Sequence, residues 1–309
     1  SGSRARISAK LAAGSGGLTI KDSGLRVGDG AGLSYNPGRT ASGFPMPADF
    51  PRFADMPEGL ARWWLETRVA VAFLTRLPVP LADAPQTPLA QAVRGFPVAG
   101  LAVGIGGAAV FALAEVFALP TLVAALLAIA SMALLTGGLH EDGLADTADG
   151  LGGGRDREHA LTIMRDSHIG SYGVIALVLA LGLRAAAISA LAYSEAAGLA
   201  IIAAACASRS VIPFIMHYLP PARTDGLGQA AGIPEQRAVF EAAAIGLLVL
   251  LLCLGVLATL LLIALLALFS VLFIRYLHLR LEGQTGDTLG AVQQGAEIVI
   301  LIVATTILP

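Results

Sequence analysis

The sequence predicts an all-α fold, a polytopic transmembrane helical bundle, and three observations lead to it. Of the 309 residues 56% are hydrophobic and only 14% charged, where a soluble domain carries about 25% charged residues. Apolar runs near the length of a bilayer crossing, about 20 residues at a rise of about 1.5 Å each, recur along the chain. Short polar loops separate these runs, and most of the arginines sit in the loops.

Taken in order, residues 1–58 are rich in Gly, Ser, Pro and Arg and lack a spanning run, so they read as a poorly ordered leader. The membrane-embedded domain is expected over 59–309. Leu65 to Pro80 is apolar but carries Arg68 and Arg76 and ends in prolines, which favours an interfacial or re-entrant helix. Spans follow at Pro97 to Leu119, where glycines permit close helix approach, and at Thr121 to Thr136. An amphipathic stretch, Asp156 to Ser167, turns Ala160, Leu161 and Met164 to one face. Further spans are expected at Tyr172 to Tyr193, Ala196 to Tyr218 and Thr288 to Leu308. The apolar run from Ala238 to Ile274 is nearly twice the length one crossing needs, and a tight reversal near Gly255 would divide it into two helices. That gives about seven spans, with Arg94, Arg155, Arg157, Arg165, Arg223, Arg237, Arg275 and Arg280 on one side, which the positive-inside rule makes cytoplasmic. A single tilted helix would instead carry the loop LEGQTGD away from the other polar loops. Cys206 and Cys253 lie in apolar runs without metal or redox spacing and read as packing residues. A formal net charge of -2 and the lack of a basic, aromatic-interleaved stripe argue against a nucleic-acid partner; the surroundings are the lipid bilayer.

The segment TGGLHEDGLADTADGLGGG, Thr136 to Gly154, places acids and glycines against a membrane span. Asp142, Asp146 and Asp149 recur at i, i+4 and i+7, so a helix there presents them on one face. A solvated, capped loop is the plainer reading of such a composition, but the helical spacing favours a divalent cation site. Mg²⁺ takes oxygen ligands from a few carboxylates together with a substrate's phosphates, which points to phosphoryl chemistry. Gly150, Gly152, Gly153 and Gly154 would give a mobile backbone able to approach a phosphate, or form a plain hinge. His140 is a candidate general base or an orienting group. Arg155, Arg157 and Arg165 suit either phosphate clamping or positive-inside anchoring. Within the spans, Glu115, Arg184, Arg209 and Glu297 are expensive to bury and are expected to pair or face a polar cavity, although Arg209 could snorkel.

Five further blocks join the acid cluster in a resemblance: FLTRLPVP, RGFPVAGLAVG, IMRDSHIGSYG, LPPARTDGLG and GQTGDTLGA. From about Val69 to the C-terminus the chain resembles the cobalamin synthase family, adenosylcobinamide-GDP ribazoletransferases. The resemblance implies a magnesium-dependent, multi-pass enzyme of the bacterial inner membrane with its site facing the cytoplasm. It would join α-ribazole, or its 5′-phosphate, to adenosylcobinamide-GDP and release GMP, and a membrane complex with other corrinoid enzymes is compatible with it. Matching positions implicate His140, Asp142, Asp146, Asp149, Asp166, Arg209, Arg223, Asp225, Asp287 and Glu297. Glu141 stands where an apolar residue is usual and His168 where Arg or Lys is usual, so Glu141 is not expected to be a ligand.

Combined with the residue chemistry, the resemblance puts Mg²⁺ on Asp142, Asp146 and Asp149, with Asp146, Asp149 or His140 accepting the hydroxyl proton. Arg155, Arg165 and Arg223 would hold phosphates, and Asp225 and Asp287 would close the site. Two rival functions remain from the sequence. A CDP-alcohol phosphotransferase would need an Ala-Arg pair soon after the second Asp, which is missing. A cation or corrinoid transporter would be expected to repeat the acidic block, which does not recur.

Overall fold

The computed structural model describes residues 18–19, 25–27, 32–35, 57–81, 87–194, 196–224 and 226–308. Most of the expected leader, and Asp225, lie outside the described residues. Helix α1 is Glu58–Leu74, α2 Leu89–Ala92, α3 Phe96–Val116, α4 Thr121–Thr136, α5 Leu139–Gly153 and α6 Arg157–Ile163. Helix α7 is Ser171–Leu191, α8 Ala197–Tyr218, α9 Gly226–Ala231, α10 Gln236–Leu281 and α11 Gly286–Ile307. A small antiparallel sheet accompanies them in the order β1 (Leu18–Thr19), β2 (Leu25–Val27), β3 (Gly32–Tyr35), β4 (Thr87–Pro88). Leu25 pairs with Tyr35 and Leu33 with Thr87, which ties the chain before α1 to the start of α2.

The protein is a multi-pass membrane protein. Leu89–Val116, Ser171–Ser194, Ala197–Tyr218, Gln236–Leu281 and Gly286–Ile307 are long and apolar enough to cross a bilayer, and the bent pair α4–α5 makes up to six such stretches. α8 is the central span, packed against α3, α10 and α11. Glycines set that packing: a Cβ on Gly100 would lie 2.3 Å from the Ala205 carbonyl, and one on Gly104 would lie 2.8 Å from the Ile202 Cα. The small residues foreseen in GLAVGIGG therefore let α3 and α8 approach closely.

The 46 residues of α10 would measure about 69 Å as one straight helix. Both of its ends nevertheless reach the C-terminal end of α8. His217 Nδ1 bonds the Pro234 carbonyl at 2.8 Å just before α10, and Gln284 N donates to the Pro220 carbonyl at 2.8 Å just after it. Non-helical torsions at Gly255 (φ 79°, ψ 178°) separate two helices there, and a left-handed φ of that size is open to glycine without strain. The expected reversal is thus present, and it returns the GQTGD loop to the end of the bundle that holds the acid cluster.

A second glycine device aims that cluster. Gly137 and Gly138 are both left-handed (φ 70° and 73°), and they bend α5 by 91° from the axis of α4. α5 consequently runs nearly perpendicular to α4. It crosses α11, where Gly143 and Gly290 pack so closely that a Cβ on either would meet the other's Cα within 3.3 Å.

Two expectations are corrected. Glu115 is the penultimate residue of α3 and exposed, because the helix ends at Val116, before the apolar run does. Gly150, Gly152 and Gly153 are helical, not a mobile phosphate loop; Gly150 and Gly152 admit the side chains of Met164 and Tyr172 at close range. The short helices α2 and α9 were not anticipated.

Candidate active site

A cavity of about 730 Å³ opens between α5, the 165–169 loop and the loop before α11. Asp142 and Asp146 of α5 line it, as the i, i+4 spacing requires, and Asp287 in the first turn of α11 faces them. Burial, and then the carboxylates of Asp142, Asp287 and Asp149, push Asp146 up to about 7. Carboxylates crowded in this way favour a counter-cation. Among the described residues no three His, Cys, Asp or Glu side chains already form a metal cage.

Asp287 is brought in by its loop. Pro221 bridges to Gln284 as isolated parallel strand residues, with Ala222 N donating to the Gln284 carbonyl at 2.8 Å. Gly283 must be glycine there, since a Cβ would sit 2.6 Å from both the Pro220 carbonyl and the Ala222 nitrogen. Thr285 and Thr288 form a reciprocal capping box that starts α11. The motif GQTGDT is thus mostly scaffold, and it presents one aspartate. Arg223, on the bridged partner loop, reaches Asp287 at 3.8 Å and donates to the Leu161 carbonyl at 3.0 Å.

Arg165, Asp166 and His168 also line the cavity. Hydrogen bonds from the His168 side chain and backbone hold Asp166 below the usual carboxylate range. Asp149 anchors this loop from beneath: Oδ2 accepts from Gly170 N at 2.7 Å and Oδ1 from Gly173 N at 2.8 Å. Both its oxygens therefore serve the free N–H groups at the start of α7, and Asp149 does not line the cavity.

Beneath the cavity lies a second polar cluster. Arg184, 13 residues into α7 and only 1% exposed, bonds Glu297 Oε1 at 2.6 Å, Gln294 Oε1 at 3.1 Å and Glu141 Oε1 at 3.2 Å. Gln293 Nε2 donates to Glu297 and to Ser208 Oγ. Arg209, 2% exposed, donates to the Ala205 carbonyl at 2.7 Å. Two arginines face two glutamates, so the set balances in charge.

The sequence-predicted residues accordingly divide. His140, Asp142, Asp146, Arg165, Asp166, Arg223 and Asp287 meet at the cavity. Asp149, Arg209 and Glu297 are buried away from it, and Arg155 is exposed outside it. Arg157 caps other chain ends, bonding the carbonyls of Leu281 and Ala222. Arg209 does not snorkel, and Glu141 lines the cavity while its Oε1 pairs with Arg184. Sequence reasoning missed Gln293, Gln294 and Ser208, whose only signal was polarity inside apolar helices. It also missed the apolar part of the cavity lining, although FLTRLPVP and RGFPVAG contain Phe73 and Phe96.

With this geometry in view, the comparisons are decisive. The profile of the cobalamin-5-phosphate synthase family matches residues 66–305. The chain belongs to that family. An adenosylcobinamide-GDP ribazoletransferase of Bradyrhizobium diazoefficiens is 51% identical over 243 residues, covering 77% of this chain and 92% of the relative. One from Mesorhizobium japonicum is 46% identical over 246 residues, covering 79% and 93%. One from Sinorhizobium is 45% identical over 242 residues, covering 75% and 92%. No solved structure matches.

Proposed function

We propose that the chain joins α-ribazole, or its 5′-phosphate, to adenosylcobinamide-GDP and releases GMP. The observation that supports this most directly is the cavity, which brings Asp142, Asp146 and Asp287 together with Arg165 and Arg223. A diphosphate carrying a divalent cation needs that pairing of charges.

In this reading the ribazole 5′-oxygen attacks the phosphorus joined to cobinamide. A new P–O bond forms, the bond to the GMP phosphate breaks, and GMP leaves with the electron pair. Arg165 and Arg223 hold the phosphate oxygens in line. The hydroxyl proton passes to Asp146, with His140 as the alternative acceptor. Asp142, Asp146 and Asp287 would hold Mg²⁺, which when bound supplies charge neutralisation to the diphosphate. Asp149, its oxygens committed to backbone, positions the loop that carries Arg165.

The finer topology follows from the same proposal. α3, α4, α7, α8, the two halves of α10 and α11 make seven spans, with the cavity on the arginine-rich, cytoplasmic side of a bacterial inner membrane. Purified protein given both substrates and Mg²⁺ is expected to release GMP in step with corrinoid product. Folded protein that instead moves corrinoid across a liposome without releasing nucleotide would establish the transporter reading.

A further inference from the structure

The cavity has two unlike walls, and the reaction above uses one. Besides the acids it is lined by Phe73, Leu74, Leu89, Phe96, Ile212 and Met216, which belong to one apolar cluster. The rings of Phe73 and Phe96 are nearly parallel, with centroids 6.3 Å apart and planes at 16°. Neither phosphates nor a metal gain anything from such a surface. Residues 139–142 of α5 form the seam: Leu139 packs on the apolar cluster, and Asp142 belongs to the acid wall. Between them His140 lines the cavity at 2% exposure, and neither of its ring nitrogens has a hydrogen-bond partner. Both nitrogens are closed off from solvent, so His140 marks the seam without presenting a free polar atom to the cavity.

We infer that the apolar wall is the seat of the acceptor's base, with the attached ribose at the seam beside His140. The ligand class is a nucleoside whose base is flat, aromatic and poor in hydrogen-bonding groups. Resting on the function proposed above, this assigns the methylated benzimidazole of ribazole to the Phe73 side. The ribose then lies at the seam, and the 5′-oxygen points toward the acid wall where the diphosphate is held. A purine or pyrimidine nucleoside would leave its polar base edge unpaired against Phe73 and Met216, so the wall also rejects the common nucleosides.

The test measures KM for each substrate separately in wild type, Phe73→Ala, the conservative Phe73→Leu and Met216→Ala. Phe73→Ala is expected to raise KM for ribazole about tenfold or more, while KM for adenosylcobinamide-GDP stays within about twofold and Phe73→Leu falls between. Wild type is expected to prefer ribazole over its analogue lacking both ring methyls by about 15-fold, about fourfold per buried methyl. That preference shrinks in Met216→Ala. An unchanged KM for ribazole, intact methyl discrimination in both alanine variants, or a rise in KM for the corrinoid alone overturns the assignment. If wild type releases no GMP, it is the proposed reaction that fails. Equilibrium binding of ribazole to wild type and Phe73→Ala, read from the fluorescence of its base, then still decides the base seat.

Discussion

Two clusters of charge lie one residue apart on α5, and they solve opposite problems. Glu141 belongs to the interior set, where Arg184 and Arg209 answer Glu141 and Glu297 and amide side chains fill the gaps. Asp142 belongs to the cavity set, where aspartates from two helices crowd together and Asp146 is driven up to about 7. The first is mostly buried, reaches the cavity only through Glu141 and is balanced; the second is open and in deficit of positive charge. Residue type therefore does not tell scaffold from site here. Charge balance does: a set that neutralises itself holds helices together, and one that does not is built for a ligand.

The sharpest way to break the contrast is to unbalance the interior set. Arg184→Leu strands two carboxylates among apolar helices, and removal of one partner from a buried ion pair costs about 3–5 kcal/mol. A large drop in the thermal midpoint of detergent-purified protein is expected, with activity lost in proportion to unfolding; an unchanged midpoint would remove the scaffold role. The cavity set should behave the other way. Asp142→Asn, half-open to solvent, is expected to leave the midpoint nearly unchanged and reduce GMP release about 10²- to 10³-fold, the scale of losing one electrostatic group that stabilises a transition state. Full turnover at saturating Mg²⁺ would exclude Asp142 from the site.

Gly283→Ala probes the link between loops. The added methyl meets backbone on both sides, which cannot swing away, so an overpacking cost of about 1–3 kcal/mol is expected. Because the Pro221–Gln284 bridge sets Arg223 beside Asp287, kcat should fall by about tenfold while the helical content seen by circular dichroism is retained. Wild-type kcat would show that the bridge does not position the pair.

Run length, spacing and motif made much of this legible. The Ala238–Ile274 run was too long for one crossing, and Gly255 was the residue able to turn it. Asp142 and Asp146 were visible because i, i+4 spacing fixes a shared face. Spacing names a face, however, and not the neighbour that covers it. Asp149 continues the same series but falls where the N-terminus of α7 needs acceptors, and Gly170 and Gly173 take it. Arg184 announced that it needed a partner and not which one, since Glu141 and Glu297 lie far from it in sequence. Glu115 was misplaced because an apolar run need not end where its helix does.

The pH dependence carries the most specific sign. In the folded chain Asp146 holds its proton more tightly than an unfolded carboxyl, about 7 against 3.8. Where the folded state binds more protons, stability falls with rising pH, so metal-free wild type should lose stability between about pH 4 and 7 and level off above that. Asp146→Asn removes this dependence: in chelator its midpoint should exceed that of wild type at pH 8 and match it at pH 4, although its turnover is lost. Mg²⁺ added at pH 8 should raise the wild-type midpoint and leave the variant nearly unmoved, because a ligand stabilises the state that binds it. A less active, more stable variant is the behaviour of a group strained for function. If Asp146→Asn is instead less stable than wild type at pH 8, its carboxylate is already balanced by groups within the chain, and the distinction between the two clusters collapses.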